Sequence, residues 1–223
     1  MIENLIESIK CLIYLEFMDA DSRMRLIDVA RKLFAEKGYE GTSTRDLAKA
    51  SDLNISMISY YFGSKEGLYK AVLTEFAQQA HDKMKPLFSD LDVEKFDKKN
   101  FEKVMHAILS GMLPMKAKNP EISVLLQREM MAGLPYAKEI FDQYFTNMVE
   151  QVVSVIALAQ KKKIVRPDIN PYVLFLSLVH ASDSFQNMSQ CKTSICDKVP
   201  HIPEKIDEYV DQMYKIFIEG AML

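Results

Sequence analysis

The sequence predicts an all-α fold, on three observations. Apolar residues recur at the 3 to 4 residue spacing of an amphipathic helix, no segment alternates with the period of two of a half-buried strand, and only 7 Gly and 8 Pro punctuate 223 residues. At 48% apolar and 26% charged the chain is not disordered, and it is long enough to bury a core without disulfides or a metal. The breaks between apolar stripes divide it into about nine helices. With 28 basic and 31 acidic residues the net charge is −3, which excludes a polycation that coats nucleic acid; any contact with a polyanion must be local.

Residues 1–20 differ in pattern from the rest of the chain. Leu5, Ile9, Leu12 and Ile13 fit a short amphipathic helix packed on the body, while Met18, just before Asp19-Ala20-Asp21-Ser22, is a candidate alternative start that would make these residues an extension. The run from Cys11 to Leu15 is far short of a membrane span and is flanked by Glu7 and Glu16. Cys11, Cys191 and Cys196 form no CxxC pair and no Cys/His array, so they read as inert thiols of a reducing compartment, with no metal and no cofactor. The expected location is the cytoplasm, with no membrane partner.

From Ser22 onward Leu26, Ile27, Ala30, Leu33 and Phe34 make the first helix, and Gly38 stands where a helix C-terminus needs a positive φ. Ser43-Thr44-Arg45-Asp46 has capping-box spacing: the Ser43 hydroxyl accepts an N–H of the first turn, and Asp46 sits where the helix dipole favours an anion. A second helix of about two turns comes next, carrying Leu47 and Ala48. Ser51-Asp52-Leu53 makes a tight turn, with Asp52 tolerant of the left-handed region, and Asn54 caps a third helix running to about Tyr61. Gly63-Ser64 ends it, Ser64 caps again, and a long fourth helix runs from Lys65 through Leu68, Val72 and Phe76 towards Pro86.

Two short helices joined by a tight turn and buttressed by longer helices are a helix-turn-helix arrangement. Residues 21–70 hold nine basic against seven acidic side chains, +2, leaving −5 elsewhere, the sign asymmetry of a DNA-facing head on an acidic body.

At these residues the sequence resembles the TetR family of bacterial transcription regulators. The resemblance rests on Ala30-x-x-Leu33-Phe34-x-x-x-Gly38, Gly41-Thr42-Ser43-Thr44-Arg45-Asp46-Leu47-Ala48 and Tyr60-Tyr61-Phe62-Gly63-Ser64-Lys65-Glu66-Gly67-Leu68, between about Ser22 and Phe76. With residues 1–20 set aside as an extension, it implies a DNA-binding domain over 21–69 and a helical effector-binding and dimerisation domain over 70–223. It also implies a DNA face: Thr44 and Arg45 on phosphate and a base edge, Asn54, Ile55, Ser56 and Ser59 in the major groove, a hydroxyl of Tyr60 or Tyr61 on phosphate, and Lys65 on the backbone. Phe62 and Leu68 read as core. Two positions depart from the family pattern, Ser59 where an aromatic is common and Asp52 where glycine is common.

Beyond Pro86 helices are expected over about 98–116, 120–132, 136–161, 170–189 and 203–220. The segment from Pro171 to His180 is apolar on nearly every face, which calls for a partner. With the stripe Ile206, Tyr209, Val210, Met213, Ile216, Phe217 it predicts a four-helix interface between two copies, through Leu174, Leu178, Tyr209, Met213 and Phe217. The methionine- and phenylalanine-rich middle helices suit an adaptable apolar pocket, with Met105, Leu109, Met112, Arg128, Phe145, Met148 and His180 as candidate lining. The resemblance thus implies a dimeric, ligand-responsive regulator. The expected form is a repressor that binds an inverted-repeat operator in double-stranded DNA and is released by a small apolar or amphipathic effector. Two rivals stay open: a helical interaction module without specific DNA binding, and an all-α enzyme using His106, His180 and a carboxylate, which lacks any nucleophile–base motif, phosphate loop or HExxH spacing.

Overall fold

A computed structural model of the chain describes residues 2–89, 91–189 and 205–223, with side chains from residue 19 to 183 and from 205 onward. The helices are α1 (Ile2–Lys37), α2 (Thr44–Ser51), α3 (Ser56–Phe62), α4 (Lys65–Ser89), α5 (Lys98–Lys118), α6 (Pro120–Met131), α7 (Lys138–Ile140), α8 (Thr146–Lys161), α9 (Pro171–Ser189) and α10 (Ile206–Met213). A π-helical stretch, Phe141–Phe145, fuses α7 to α8, so the described residues form nine helices in effect. A second π stretch, Tyr214–Ile218, and a 3₁₀ turn, Glu219–Ala221, extend α10. Among the described residues the one extended pairing is an isolated bridge between Val165 and Met222, and the all-α expectation holds.

The helix expected to open at Ser22 begins instead at Ile2. Nothing at residues 19–22 breaks it: the segment has no Gly or Pro, Ala20 favours helix, and Arg25 donates to the Asp21 carboxylate one turn earlier (2.7 Å). The side chains of Cys11 and Met18, and all of Cys191 and Cys196, lie outside the described residues.

The chain divides into two compact units: Met1–Glu75 with Val124–Ala137, and Phe76–Ser123 with Lys138–Leu223. In the first, Leu26, Ala30 and Phe34 of α1, Leu47 of α2, Ile58 of α3, and Leu68 and Leu73 of α4 are all buried. Phe62, read as core, is only half-buried, with the Arg23 guanidinium 5.3 Å from its ring centroid.

The turn between α1 and α2 is built from side chains that satisfy carbonyls. Gly38 takes φ +76° and donates its N–H to the Phe34 carbonyl (2.9 Å), as its place in the sequence predicts. Gly41 is required for a different reason: a Cβ there would lie 2.3 Å from the Lys37 carbonyl oxygen. Buried Thr42 donates its hydroxyl to the carbonyls of Leu33 (3.2 Å) and Gly38 (2.8 Å). The capping box then forms as expected: Asp46 N–H donates to Ser43 Oγ (3.1 Å), and Ser43 N–H to the Asp46 carboxylate (3.1 Å). Asp52 ends α2 in the left-handed region at φ 54°, and Ser64 Oγ accepts the Gly67 N–H (3.0 Å) at the start of α4.

In the second unit α5, α8, α9 and α10 enclose a core that includes Phe101, Met105, Leu109, Ile156 and Leu178. One charged pair enters it. The Lys116 ammonium donates to the Asp183 carboxylate and to the hydroxyl of buried Ser182 (2.8 Å). Burial pushes the Lys116 pKa down and Asp183 opposes that shift.

The interface expected between copies needs correcting. Leu174 (7% exposed), Leu178 (1%) and Met213 (3%) are core residues of this unit, and Tyr209 and Phe217 pack against that core. A helix apolar on every face offers more than one stripe of 3 to 4 residue spacing, and the stripe read from the sequence is the one turned inward. The outward residues of α9 are Tyr172 (43% exposed), Val173 (59%) and Leu176 (43%); Ile216 (63%) is outward in the C-terminal segment.

Stability is expected to respond at two places. Ser43→Ala removes the α2 cap and costs about 1 kcal/mol, a drop in Tm of roughly 2–4 °C by calorimetry. The Ser43 hydrogen bonds hold the Asp46 carboxyl below its usual range, so this contribution is present above the ordinary carboxylate pKa and is lost as pH falls through the lowered one; Asp46→Asn flattens that part of the acid limb. In the second unit, Asp183→Ala removes the carboxylate beside a buried ammonium and lowers stability by about 1–3 kcal/mol in urea titration, while the double variant Lys116→Met, Asp183→Leu recovers most of the loss.

Candidate nucleic-acid interface

The helix-turn-helix presents α3 with one face in the core and the opposite face in solvent. Ile58 (1% exposed) anchors the inner face, and Ile55 (44%), Ser56, Ser59 and Tyr60 (71%) stand outward. Their spacing of one and four residues puts them on adjoining strips of a single surface. Asn54 fixes the start of α3: its Oδ1 accepts the Ser56 N–H and the Ser56 hydroxyl, each at 2.9 Å. These bonds use Oδ1 and leave the amide NH₂ to face outward ligands. On α2, Arg45 is exposed and Thr44 half-buried at the first turn. The array offers a guanidinium, an amide, hydroxyls and an apolar side chain. These are the donor, acceptor and methyl-contact types that read base edges in a major groove.

Two residues expected on the DNA backbone are engaged with other parts of the protein. Tyr61 donates its hydroxyl to the Asp19 carboxylate (2.7 Å), and burial and that carboxylate together push its pKa up. Lys65 donates its ammonium to the carbonyls of Tyr39 (3.0 Å) and Thr42 (3.2 Å), with the nitrogen 4.0 Å from the Tyr39 ring centroid. The sequence motif places both side chains correctly on their helices. It carries no sign of Asp19, which lies on the unexpected extension of α1, or of two carbonyls turned towards α4. Tyr60, with its ring edge on Tyr61 (4.9 Å), is the tyrosine presented to solvent.

The candidate effector residues fall in both units, and three of them share one core. Met105 and Leu109 fill the second unit's core, Met112 packs against it, Met148 is half-buried, Phe145 lies on Phe141 (4.7 Å), and His180 is exposed. Arg128 belongs to the first unit, where its Nη1 donates to the Phe34 carbonyl (3.0 Å). A cleft of about 280 Å³ lies within that unit, lined by Phe34, Lys37, Tyr39, Tyr69, Arg128 and Tyr136 among others. His106, on the surface of α5, has Nδ1 3.2 Å from Ser110 Oγ and Nε2 3.8 Å from Asp211. With His106, Ser110 and Asp211 all exposed, the group is a surface cluster. Among the described residues no cluster of His, Cys, Asp and Glu has the arrangement of a metal site, and no helix is long and apolar enough to cross a membrane.

A capped helix, a tight turn and an outward-facing second helix, leading into a mainly helical remainder, form a helix-turn-helix arrangement. Residues 26–72 match the family described as bacterial regulatory proteins, tetR family. The match covers α2 and α3 with the parts of α1 and α4 that flank them. It is 25% identical over 146 residues to the probable HTH-type transcriptional regulator YttP of Bacillus subtilis, covering 66% of this chain and 67% of that one. It is 40% identical over 57 residues to the HTH-type transcriptional repressor AcnR of Corynebacterium glutamicum, a match that spans 26% of this chain and only 30% of AcnR. In fold it is similar to the ketosteroid transcriptional regulator KstR2 of Mycobacterium tuberculosis, with a TM-score of 0.69 at 15% identity over 90% of this chain and 95% of that one. Both relatives are named as transcriptional regulators.

Proposed function

We propose that the chain is a cytoplasmic repressor that binds an inverted-repeat operator as a homodimer and is released by a small apolar or amphipathic effector. The observation that carries the DNA-binding half is the outward face of α3, where Ile55, Ser56, Ser59 and Tyr60 are exposed around a helix pinned by Ile58. Arg45 supplies the base contact, because its fork matches guanine O6 and N7. Thr44, Asn54 and Tyr60 position the head on the backbone and groove edge. Lys65 and Tyr61 act through the protein itself, Lys65 tying α4 to the turn before α2 and Tyr61 tying α3 to α1.

DNA binding is assigned to the first unit, and dimerisation and effector binding to the second. A dimer is favoured by the outward apolar face of α9, Tyr172, Val173 and Leu176, which is uncovered in a single chain. An effector of apolar character suits the second unit, whose methionines Met105, Met112 and Met213 lie in or against its core and can repack around a guest. Repression is supported by AcnR, named as a repressor.

Selection from a random DNA pool by the purified chain, at about 0.1–0.15 M salt, tests the reading. The expected product is an inverted repeat whose half-site centres lie about 34–36 Å apart or somewhat more. Failure to enrich any sequence with a folded protein overturns it. On the selected duplex, Arg45→Ala weakens binding by about 1–3 kcal/mol in fluorescence anisotropy and relaxes the preference at one position of each half-site. Val173→Arg with Leu176→Arg places like charges where two copies meet; sedimentation is expected to show a monomer, and operator affinity falls with it.

A further inference from the structure

Residues 124–137 form an arm of the first unit, and the arm is organised around Glu129. At 4% exposure Glu129 is the one buried carboxylate among the described residues. Its burial is offset by three donors. The Tyr69 hydroxyl donates to Oε1 (3.1 Å), and the backbone N–H groups of Tyr136 and Ala137 both donate to Oε2 (3.1 Å each). The backbone between carboxylate and donors is tightly bent: Gly133 has φ +81°, Leu134 has φ +62°, and the Leu134 N–H returns to the Glu129 carbonyl (2.7 Å). A leucine in the left-handed region costs free energy and persists only where its surroundings over-determine it.

The bend lays the Tyr136 ring against Tyr39 (4.3 Å between centroids), and Tyr39 also meets Tyr69 (5.2 Å). Tyr39 is the ring beneath the Lys65 ammonium, and its carbonyl is one of the two that ammonium holds. A connected set of contacts therefore runs from Glu129 through Tyr136 and Tyr69 to Tyr39 and Lys65, and ends at Thr42, the residue before the α2 cap. The open cleft beside the same rings means that the arm is not held by close packing on every side.

We propose that Glu129 is a positioning residue for DNA binding. By fixing Tyr136 and Tyr69 it sets the Tyr39–Lys65 support of the turn that aims Arg45, and it touches no DNA itself. This rests on the reading of α2 and α3 as the operator-binding face. The nearby Arg128 adds a second tie, to the Phe34 carbonyl at the end of α1.

The test uses the full-length chain and a duplex enriched from the random pool, with affinity measured by anisotropy across a range of salt. Glu129→Gln keeps the shape and loses one of the acceptor oxygens; it is expected to weaken binding about tenfold, the effect of a lost buried hydrogen bond to a charged group. Tyr136→Ala weakens it similarly and Tyr136→Phe, which keeps the ring, restores it. The dependence of log affinity on log salt keeps its slope in every variant, because no phosphate contact is removed. If Glu129→Gln fails to fold, the Tyr136 pair decides. The proposal is overturned by Glu129→Gln or Tyr136→Ala binding within about twofold of the parent, by Tyr136→Phe binding as weakly as Tyr136→Ala, or by a changed salt slope. A parent chain that enriches no sequence removes the DNA-binding reading itself, and this proposal with it.

Discussion

The carbonyls at the C-terminus of α1 cannot be left bare, and meeting that demand determines where the DNA-binding helices point. A helix end exposes carbonyls without intrahelical partners, and the turn that follows adds its own. At the end of α1 the Thr42 hydroxyl meets the Leu33 carbonyl, and the Gly38 N–H and Arg128 share that of Phe34; in the turn beyond it, Thr42 meets the Gly38 carbonyl and the Lys65 ammonium takes those of Tyr39 and Thr42. Once these bonds form, the chain between Gly38 and Ser43 has a single course. The Gly41 position, with room for no Cβ, leaves no slack in it. Ser43 then starts α2 in a fixed direction, and Asp52 in its left-handed conformation hands that direction on to α3. Reading a groove requires side chains placed to a fraction of an ångström, so a rigid turn is worth more here than additional surface charge.

That economy shows in how cations are used. The head carries a small excess of positive charge, and one of its lysines spends its ammonium on backbone carbonyls and a tyrosine ring. A lysine on phosphate adds sequence-independent affinity and a steeper salt dependence, whereas a lysine holding the turn adds neither. Tyr61 makes the same exchange with Asp19. Under the proposed function, discrimination between sequences falls to the exposed groups, Arg45 and the outward strip of α3, which suits a protein of net charge −3 that must ignore bulk DNA.

The features legible in the sequence are those set within one helical turn. Gly38, the Ser43–Asp46 box, Asp52, Asn54 and Ser64 each act on a backbone group no more than four residues away, so spacing alone identifies them. What spacing hides is every contact across long separations. Lys65 meets Tyr39 and Thr42 over more than twenty residues, Tyr61 meets Asp19 over 42, and Glu129 meets Tyr69 over 60. Arg128 and Glu129 stand out in the sequence as polar groups in an apolar helix, and that pattern is equally consistent with a ligand anchor and with a tie to another part of the chain. The structure shows such a tie for both, and the 100° between adjacent helical positions sends one to the Phe34 carbonyl and the other into the interior.

The same ambiguity explains α9. A helix whose residues from Pro171 to Val179 are nearly all apolar must be covered all round, but composition does not say which strip meets its own core. Leu174 and Leu178, one turn apart, are the strip that α5, α8 and α10 cover, and this leaves Val173 and Leu176 on the opposite side. Had the inward strip been the interface, the core would have lost two of its leucines to a partner and each chain alone would have opened a cavity costing several kcal/mol. With the strips divided, one strip closes the core of each copy before association begins. The second is left for a contact whose strength can be adjusted by surface substitution without loosening that core. If the chain pairs on an operator as proposed, folding and pairing are served by separate faces of one helix.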